Sequence, residues 1–169
     1  LKEAEDLYHW LDADFAEQKA HFEEVAKSLP TGDIRRGQAV FNSSRTSCIA
    51  CHNLGYVGGK AGPDLTRIGA IRTERDLLES ILYPSASLVR SYEPVQVVTT
   101  DGRQFSGLIR RDNADGITLT IAADKELNIA RADIETIQPS KVSVMPAGLE
   151  KQLTRQEIAD LVAFLRNCK

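Results

Sequence analysis

Hydrophobic positions change their spacing along the chain, and each change marks a different kind of element. Residues 1–29 contain no glycine or proline, and their apolar side chains recur every three or four positions. This spacing predicts one long amphipathic helix. Its apolar positions are Leu7, Leu11, Phe15, Phe22, Val25 and Leu29. We expect this apolar stripe to pack against the rest of the chain, a second copy or an upstream domain.

Helical spacing returns on both sides of the middle of the chain. The break at Pro30 precedes a second predicted helix that ends just before residue 48. Thr73 and Asp76, like Thr154 and Glu157, have the spacing of a capping box, in which each end residue caps the other's backbone N–H. These two pairs predict the start of a helix ended by Pro84 and the start of a terminal helix.

Between residues 94 and 138 the apolar positions alternate with polar ones, which is typical of half-buried strands. Short turn sequences, such as Asp101-Gly102, separate the alternating runs. The pattern predicts a small antiparallel sheet or barrel. Its five expected strands are 95–99, 104–109, 117–121, 127–129 and 134–137.

Composition narrows the classes of function. The chain has 169 residues, 42% of them hydrophobic, and no apolar run approaches membrane-spanning length. Its net charge is −3, and residues 1–29 hold three lysines against eight acids. Neither residues 1–29 nor the rest of the chain has the basic excess that nucleic-acid binding requires. We therefore expect no nucleic-acid partner and no membrane span.

Cys48-Ile49-Ala50-Cys51-His52 is the motif that carries chemistry. This C-x-x-C-H order is a haem c attachment signature, in which both thiols bond to the haem and the histidine binds iron. A zinc knuckle needs a second ligand pair, and the chain has no other C-x-x-C or H-x-x-x-H. A thioredoxin-like redox pair would follow a strand, whereas helix is predicted here. We expect His9 and His21 to be surface residues.

Met145 is the only methionine, and it precedes Pro146 in a loop before the last predicted helix. A residue before proline favours an extended backbone, which suits a side chain that projects sideways onto a haem. We therefore predict that Met145 is the distal iron ligand opposite His52. Such His/Met ligation favours electron transfer over chemistry on bound oxygen.

Residues 31–92 and 139–169 resemble a small monohaem cytochrome c. The resemblance rests on C-I-A-C-H, the Gly62-Pro63-Asp64-Leu65 loop and a Met-Pro pair before the terminal helix. It implies a hydrogen bond from His52 Nδ1 to the Pro63 carbonyl, and a crossing of the first and last helices at Gly37, Phe41 and Phe164. The further pocket candidates are Leu65 and Ile68 as lining residues, and Arg67, Arg72 and Tyr92 as partners of the haem propionates.

A longer resemblance covers nearly all of residues 31–169. The runs G-P-D-L-T-R-I-G, L-L-E-S-I-L-Y-P-S-A-S-L, V-V-T-T-D-G-R-Q-F-S-G-L-I and K-V-S-V-M-P-A-G-L are similar to the planctomycete-type haem-binding domain. That family implies a C-terminal electron-accepting module of a large exported dehydrogenase-like protein. The strand order of the predicted sheet also resembles a small Sm- or SH3-like barrel.

Together these observations predict a mainly α cytochrome c core with an inserted antiparallel sheet or barrel, α+β overall, behind a long N-terminal helix. The expected parts are an N-terminal helix or linker at 1–30, the core at 31–92 and 139–169, and the inserted β part at 93–138. Because haem c is attached outside the cytoplasm, we expect a periplasmic or otherwise exported protein. Leu1 begins a charged segment rather than a signal peptide, so we expect a mature chain or a piece of a longer one.

We expect a non-enzymatic c-type cytochrome with one covalent haem, which accepts electrons from a dehydrogenase in the same chain or docked to it. One alternative is a haem sensor or peroxidase-like enzyme whose distal ligand is displaceable. Another is a partner-docking module in which the haem is mainly structural. A homodimer through the N-terminal helix or through Cys168 is also open, although a free thiol at Cys168 is the simpler interpretation.

Overall fold

The computed structural model describes the backbone of residues 2–169 and the side chains of residues 14–169. The predicted side-chain positions of Leu7, His9 and Leu11 therefore lie outside the described part. No helix in the described part is long and apolar enough to cross a membrane. The helices are α1 (Lys2–Ser28), α2 (Ile34–Asn42), α3 (Cys48–Cys51), α4 (Ile68–Ile71), α5 (Glu74–Leu82) and α6 (Arg155–Asn167), with 3-10 turns at Arg131–Asp133 and Leu149–Gln152.

The strands form two antiparallel sheets. A two-stranded hairpin joins β1 (Asn53–Leu54) to β2 (Val57–Gly58), directly after the C-x-x-C-H motif. The larger sheet has the order β6-β5-β4-β3-β7, so that β7 returns to pair with β3. Its strands are β3 (Val95–Thr99), β4 (Gln104–Asp112), β5 (Gly116–Ala122), β6 (Lys125–Ala130) and β7 (Ile134–Pro139).

Both predicted capping boxes are confirmed. Thr73 caps the first turn of α5 and Asp76 bonds back to the Thr73 backbone, and the Thr154 and Glu157 pair does the same for α6. These reciprocal bonds satisfy backbone N–H groups that a helix cannot pair internally. The two helix starts therefore follow from local sequence alone.

α2 packs against α6, and glycine makes the close approach possible. A Cβ at Gly37 would lie 1.9 Å from the Asp160 carbonyl oxygen, so no other residue fits there. The rings of Phe41 and Phe164 meet nearby, with centroids 5.6 Å apart. The helix contact implied by the resemblance, through Gly37, Phe41 and Phe164, is thus present.

Asp160 is a buried carboxylate, 1% exposed, that joins these two helices. Its Oδ2 accepts a hydrogen bond from Arg36 Nε at 2.7 Å, and its Oδ1 accepts bonds from the Asp33 backbone N–H and from Gln156 Nε2. The Arg36 guanidinium and these donors lower the pKa of Asp160 to about 2. The carboxylate is therefore ionised at neutral pH.

The C-terminal part of α1 packs on the helical core, whereas its described N-terminal part does not. Phe22 and Val25 are buried and Leu29 is half-buried, but Phe15 is 71% exposed. Within residues 14–29, the predicted apolar stripe is therefore buried over its last turns and exposed at Phe15. Ion pairs of Glu23 with Arg75 and of Glu24 with Arg155 flank this contact.

The fold-class prediction of a mainly α cytochrome c core is wrong. The chain is α+β, and its five-stranded antiparallel sheet is a major element beside the helices. The physical reason is that α3 and α4 have only four residues each and are separated by the β1–β2 hairpin and irregular chain. The sheet also has a hydrophobic core of its own, formed by Val97, Ile117, Leu119 and Ile129.

Candidate functional site

The C-x-x-C segment forms the single helical turn α3, which begins after Ser47 in the left-handed conformation, at φ 51°. Residues three apart on a helix lie on one face, so Cys48 and Cys51 face the same side. Both are free, half-buried thiols, and burial raises the pKa of each. Two protonated thiols therefore line the same side of one turn at neutral pH.

His52 follows directly and is fixed by the backbone of the next loop. Its Nδ1 lies 2.8 Å from the Pro63 carbonyl oxygen, which is only an acceptor, so Nδ1 carries the proton and donates. Burial lowers the pKa of His52, against the opposing effect of this bond. The side chain is thus a neutral imidazole whose Nε2 lone pair is free to bind a metal.

The glycine-rich loop that follows His52 lies directly against α3. Gly59 and Gly62 donate backbone hydrogen bonds to the carbonyls of Ile49 and Cys51, at 2.9 and 2.8 Å. A Cβ on Gly62 would lie 2.6 Å from His52 Cε1. The sequence alone does not show that Gly62 packs against the imidazole. That contact depends on the path by which the loop returns to His52.

All seven predicted cofactor-binding residues line one cavity. They are Cys48, Cys51, His52, Pro63, Leu65, Ile68 and Met145. Of the three propionate candidates, Arg72 and Tyr92 also line it, and Arg67 is not among its lining residues. The structure therefore brings together the thiols, the imidazole and the thioether, although the role of each stays a prediction.

Met145 lies in an irregular segment between β7 and the 3-10 turn at Leu149, and two serine hydroxyls hold this segment. The Met145 backbone N–H donates to Ser143 Oγ at 3.1 Å, and the Ser143 N–H donates to Ser85 Oγ at 3.0 Å. Ser85 follows α5, so the segment is tied to the helical side of the cavity. Sequence reasoning placed Met145 here but missed both serines.

The five-stranded sheet supplies another wall of the same cavity. Thr120 and Ala122 of β5 are lining residues, and Thr120 is only 5% exposed. The sequence pattern did not predict this contact, because alternation shows which face of a strand is buried but not what covers it. The cavity is therefore built from both the helical and the β parts of the chain.

Within residues 14–169, no group of three or more His, Cys, Asp or Glu side chains is arranged to hold a metal ion. A metal in this cavity would therefore need at least some of its donors from outside these four residue types. His52 with Met145 and the ring nitrogens of a porphyrin would be such a set.

Comparison with known proteins gives no relative: no family model and no curated protein matches the chain. The resemblance to the planctomycete-type haem-binding domain thus stays a prediction.

Proposed function

We propose that the chain is a c-type haem protein that transfers single electrons. The observation that carries the proposal is the set of groups around one cavity: two thiols on one helical turn, a half-buried neutral imidazole and a methionine thioether. Each of these groups has a defined use with a covalently attached haem.

Cys48 and Cys51 would bond to the haem, while His52 Nε2 and Met145 Sδ would bind its iron. When bound, the haem supplies an iron centre that alternates between the ferric and ferrous states. The residues themselves do the positioning. The Pro63 carbonyl keeps the proton on Nδ1 of His52, which fixes the ring orientation and strengthens Nε2 as a donor.

The apolar lining favours the same function. Leu65, Ile68 and Pro63 are among the lining residues and offer no acid or base, and of the two carboxylates in the lining, Asp76 and Glu79, Asp76 accepts the Thr73 N–H in the capping box of α5. Among residues 14–169 the only histidine besides His52 is His21, which is exposed and hydrogen-bonded to the Tyr83 hydroxyl. The peroxidase-like alternative would need a distal acid–base group, and electron transfer does not.

The partner that we propose is a dehydrogenase, either upstream in the same chain or docked to it, in the periplasm or another exported location. Haem c attachment outside the cytoplasm and the resemblance described above support this assignment. The electron would pass at the haem edge rather than through a bound substrate.

The test uses protein produced in a host that attaches haem c, alongside a c-type cytochrome matured in the same cells. We expect haem that stays bound on a denaturing gel, and its loss in Cys48→Ala/Cys51→Ala. The oxidised protein should show the weak far-red sulfur-to-iron band. This band should vanish in Met145→Ala and persist in Val142→Ala, because Val142 is 67% exposed in the same segment.

Two results would contradict the proposal at different levels. Haem-free wild-type protein, with the reference cytochrome fully matured, would exclude haem attachment. Haem without the far-red band would remove Met145 from the iron, and fast carbon monoxide binding to the reduced wild type would then favour the sensor or peroxidase-like alternative.

A further inference from the structure

One guanidinium connects the sheet to the loop that follows His52. Arg110 of β4 donates from Nε to Thr120 Oγ1 at 3.0 Å and from Nη2 to the Lys60 carbonyl. Its guanidinium carbon also lies 5.7 Å from the centroid of the Tyr92 ring. Thr120 and Tyr92 line the cavity, and Lys60 lies two residues before Gly62, which contacts His52. A single side chain thus links two lining residues of the cavity to the backbone of the loop beside it.

A bulge in β4 determines the direction of the Arg110 side chain. The pairing of β4 with β5 shifts register between Ile109 and Arg111, so that Arg110 is the extra residue of a bulge. A bulge turns a side chain away from the direction that regular alternation would give it. The bulge and the hydrogen bonds are independent observations. Both place the Arg110 side chain where the sheet meets the loop that contains Lys60.

The neighbouring Arg111 shows what the bulge accomplishes. It is exposed, as Arg110 also is, but no side-chain hydrogen bond joins it to any of residues 14–169. Two arginines of equal charge therefore stand side by side on one strand, and only one of them contacts the cavity walls. Charge alone does not explain the arrangement of Arg110.

We propose that Arg110 is a positioning residue that latches the sheet over the cavity, so that the sheet shields the site from solvent. This role rests on the proposed function, because the group shielded would be the haem. The ferric state carries one more positive charge than the ferrous state and is stabilised by water. Shielding by the sheet, together with the nearby guanidinium, therefore raises the reduction potential and slows the entry of external ligands.

The proposal also assigns a role to residues 93–138 that differs from partner docking. If the sheet is a wall of the cavity, then removing it exposes the site and changes the haem spectrum. If the sheet serves docking alone, then its removal leaves the spectrum unchanged.

The experiment compares Arg110→Met, Arg110→Lys and Arg111→Met in the full chain. Amide hydrogen exchange at residues 60–62 and in β5 reports the latch whether or not haem is present. Because a hydrogen bond from a charged donor is lost, we expect exchange about tenfold faster in Arg110→Met. In the haem-loaded protein we expect a lower reduction potential and faster carbon monoxide binding. Lysine keeps the charge but not the planar fork, so Arg110→Lys should recover part of the potential and little of the exchange protection.

Arg111→Met should behave like the wild type in every measurement. Equal exchange in Arg110→Met and Arg111→Met would overturn the latch. Equal potentials and equal carbon monoxide rates in these two variants would overturn the shielding role. Faster exchange in Arg110→Met from a preparation without haem would support the latch and contradict the proposed function, so the two failures are distinguishable.

Discussion

The two sides of the cavity are built in different ways. On the proximal side, His52 is bonded to the Pro63 carbonyl and packed against Gly62, in a loop whose backbone is hydrogen-bonded to α3. On the distal side, Met145 lies in irregular chain that is held by the hydroxyls of Ser143 and Ser85. Backbone contacts fix the first side, and exchangeable side-chain contacts fix the second.

If His52 and Met145 bind iron as proposed, then this difference indicates which of the two is easier to displace. A change on the proximal side must move backbone, which is costly because the loop and α3 share several hydrogen bonds. A change on the distal side need only break contacts of about 1 kcal/mol each. We therefore expect the His52 side to determine whether haem is held at all, and the Met145 side to determine how tightly the sixth position is closed.

The largest effect should come from Gly62→Ala, which challenges the proximal side directly. The added Cβ would lie 2.6 Å from His52 Cε1, so either the imidazole or the loop must shift. We expect most of the covalently bound haem to be lost, measured as haem per protein after purification. Gly55→Ala adds a Cβ that meets nothing within 4 Å, and because its φ is 67° it measures the effect of backbone strain alone in the same loop. Wild-type haem content in Gly62→Ala would mean that the Gly62 contact is unimportant.

An intermediate effect should follow from Ser143→Ala on the distal side. Loss of the bond to the Met145 N–H should weaken methionine ligation by about fivefold, the equivalent of one neutral hydrogen bond. As the pH is raised, the far-red band of Ser143→Ala should then disappear at a lower pH than that of the wild type. Carbon monoxide should also bind faster to this variant. Ser143→Thr should show the wild-type value of both properties.

Ser140→Ala provides the control for this prediction. Ser140 Oγ accepts a hydrogen bond from the Val142 N–H at 3.1 Å, which is the same local turn three residues earlier. The Ser140→Ala variant should leave the far-red band unchanged. If both serine variants shift the band equally, then general loosening of the segment, rather than the position of Met145, is the cause.

The smallest effect on the iron site, although not on stability, should come from Asp160→Asn in the contact between α2 and α6. The pKa of Asp160 is lowered from 3.8 to about 2, so its ionised form stabilises the folded state by about 2 kcal/mol. This contribution is fully present above pH 3.8 and is lost as the pH falls through about 2. Unfolding by urea at pH 7 and at pH 2 measures it.

In Asp160→Asn the difference between the two pH values should shrink by about 2 kcal/mol, while the haem spectrum at pH 7 stays that of the wild type. A changed haem spectrum, with the same difference in unfolding free energy between pH 7 and pH 2 as in the wild type, would show that Asp160 acts on the haem site rather than on the contact between α2 and α6.

Local signals predicted the local structure well. The threonines at 73 and 154 cap helices as expected, and alternation located the strands of the larger sheet. The mainly α fold class was wrong, because the pattern could not show how short α3 and α4 are. The contacts of Arg110 and Asp160 also escaped prediction. Arg110 meets Lys60 across 50 positions and Arg36 meets Asp160 across 124, and sequence patterns carry no signal for such separations.

The pairing of β7 with β3 has a consequence for the order of folding. β3 to β6 are joined by successive hairpins, whose short loops close rapidly. Pairing of β7 with β3 then brings the ends of this excursion together, and the Ser140 N–H donates to the Pro94 carbonyl at 2.8 Å. Once it has formed, the chain between Ser85 and Ser143 behaves as a much shorter loop, and the entropy lost on joining them falls. We therefore expect the sheet to form before the segment that contains Met145, and this segment to be the last part of the cavity to order.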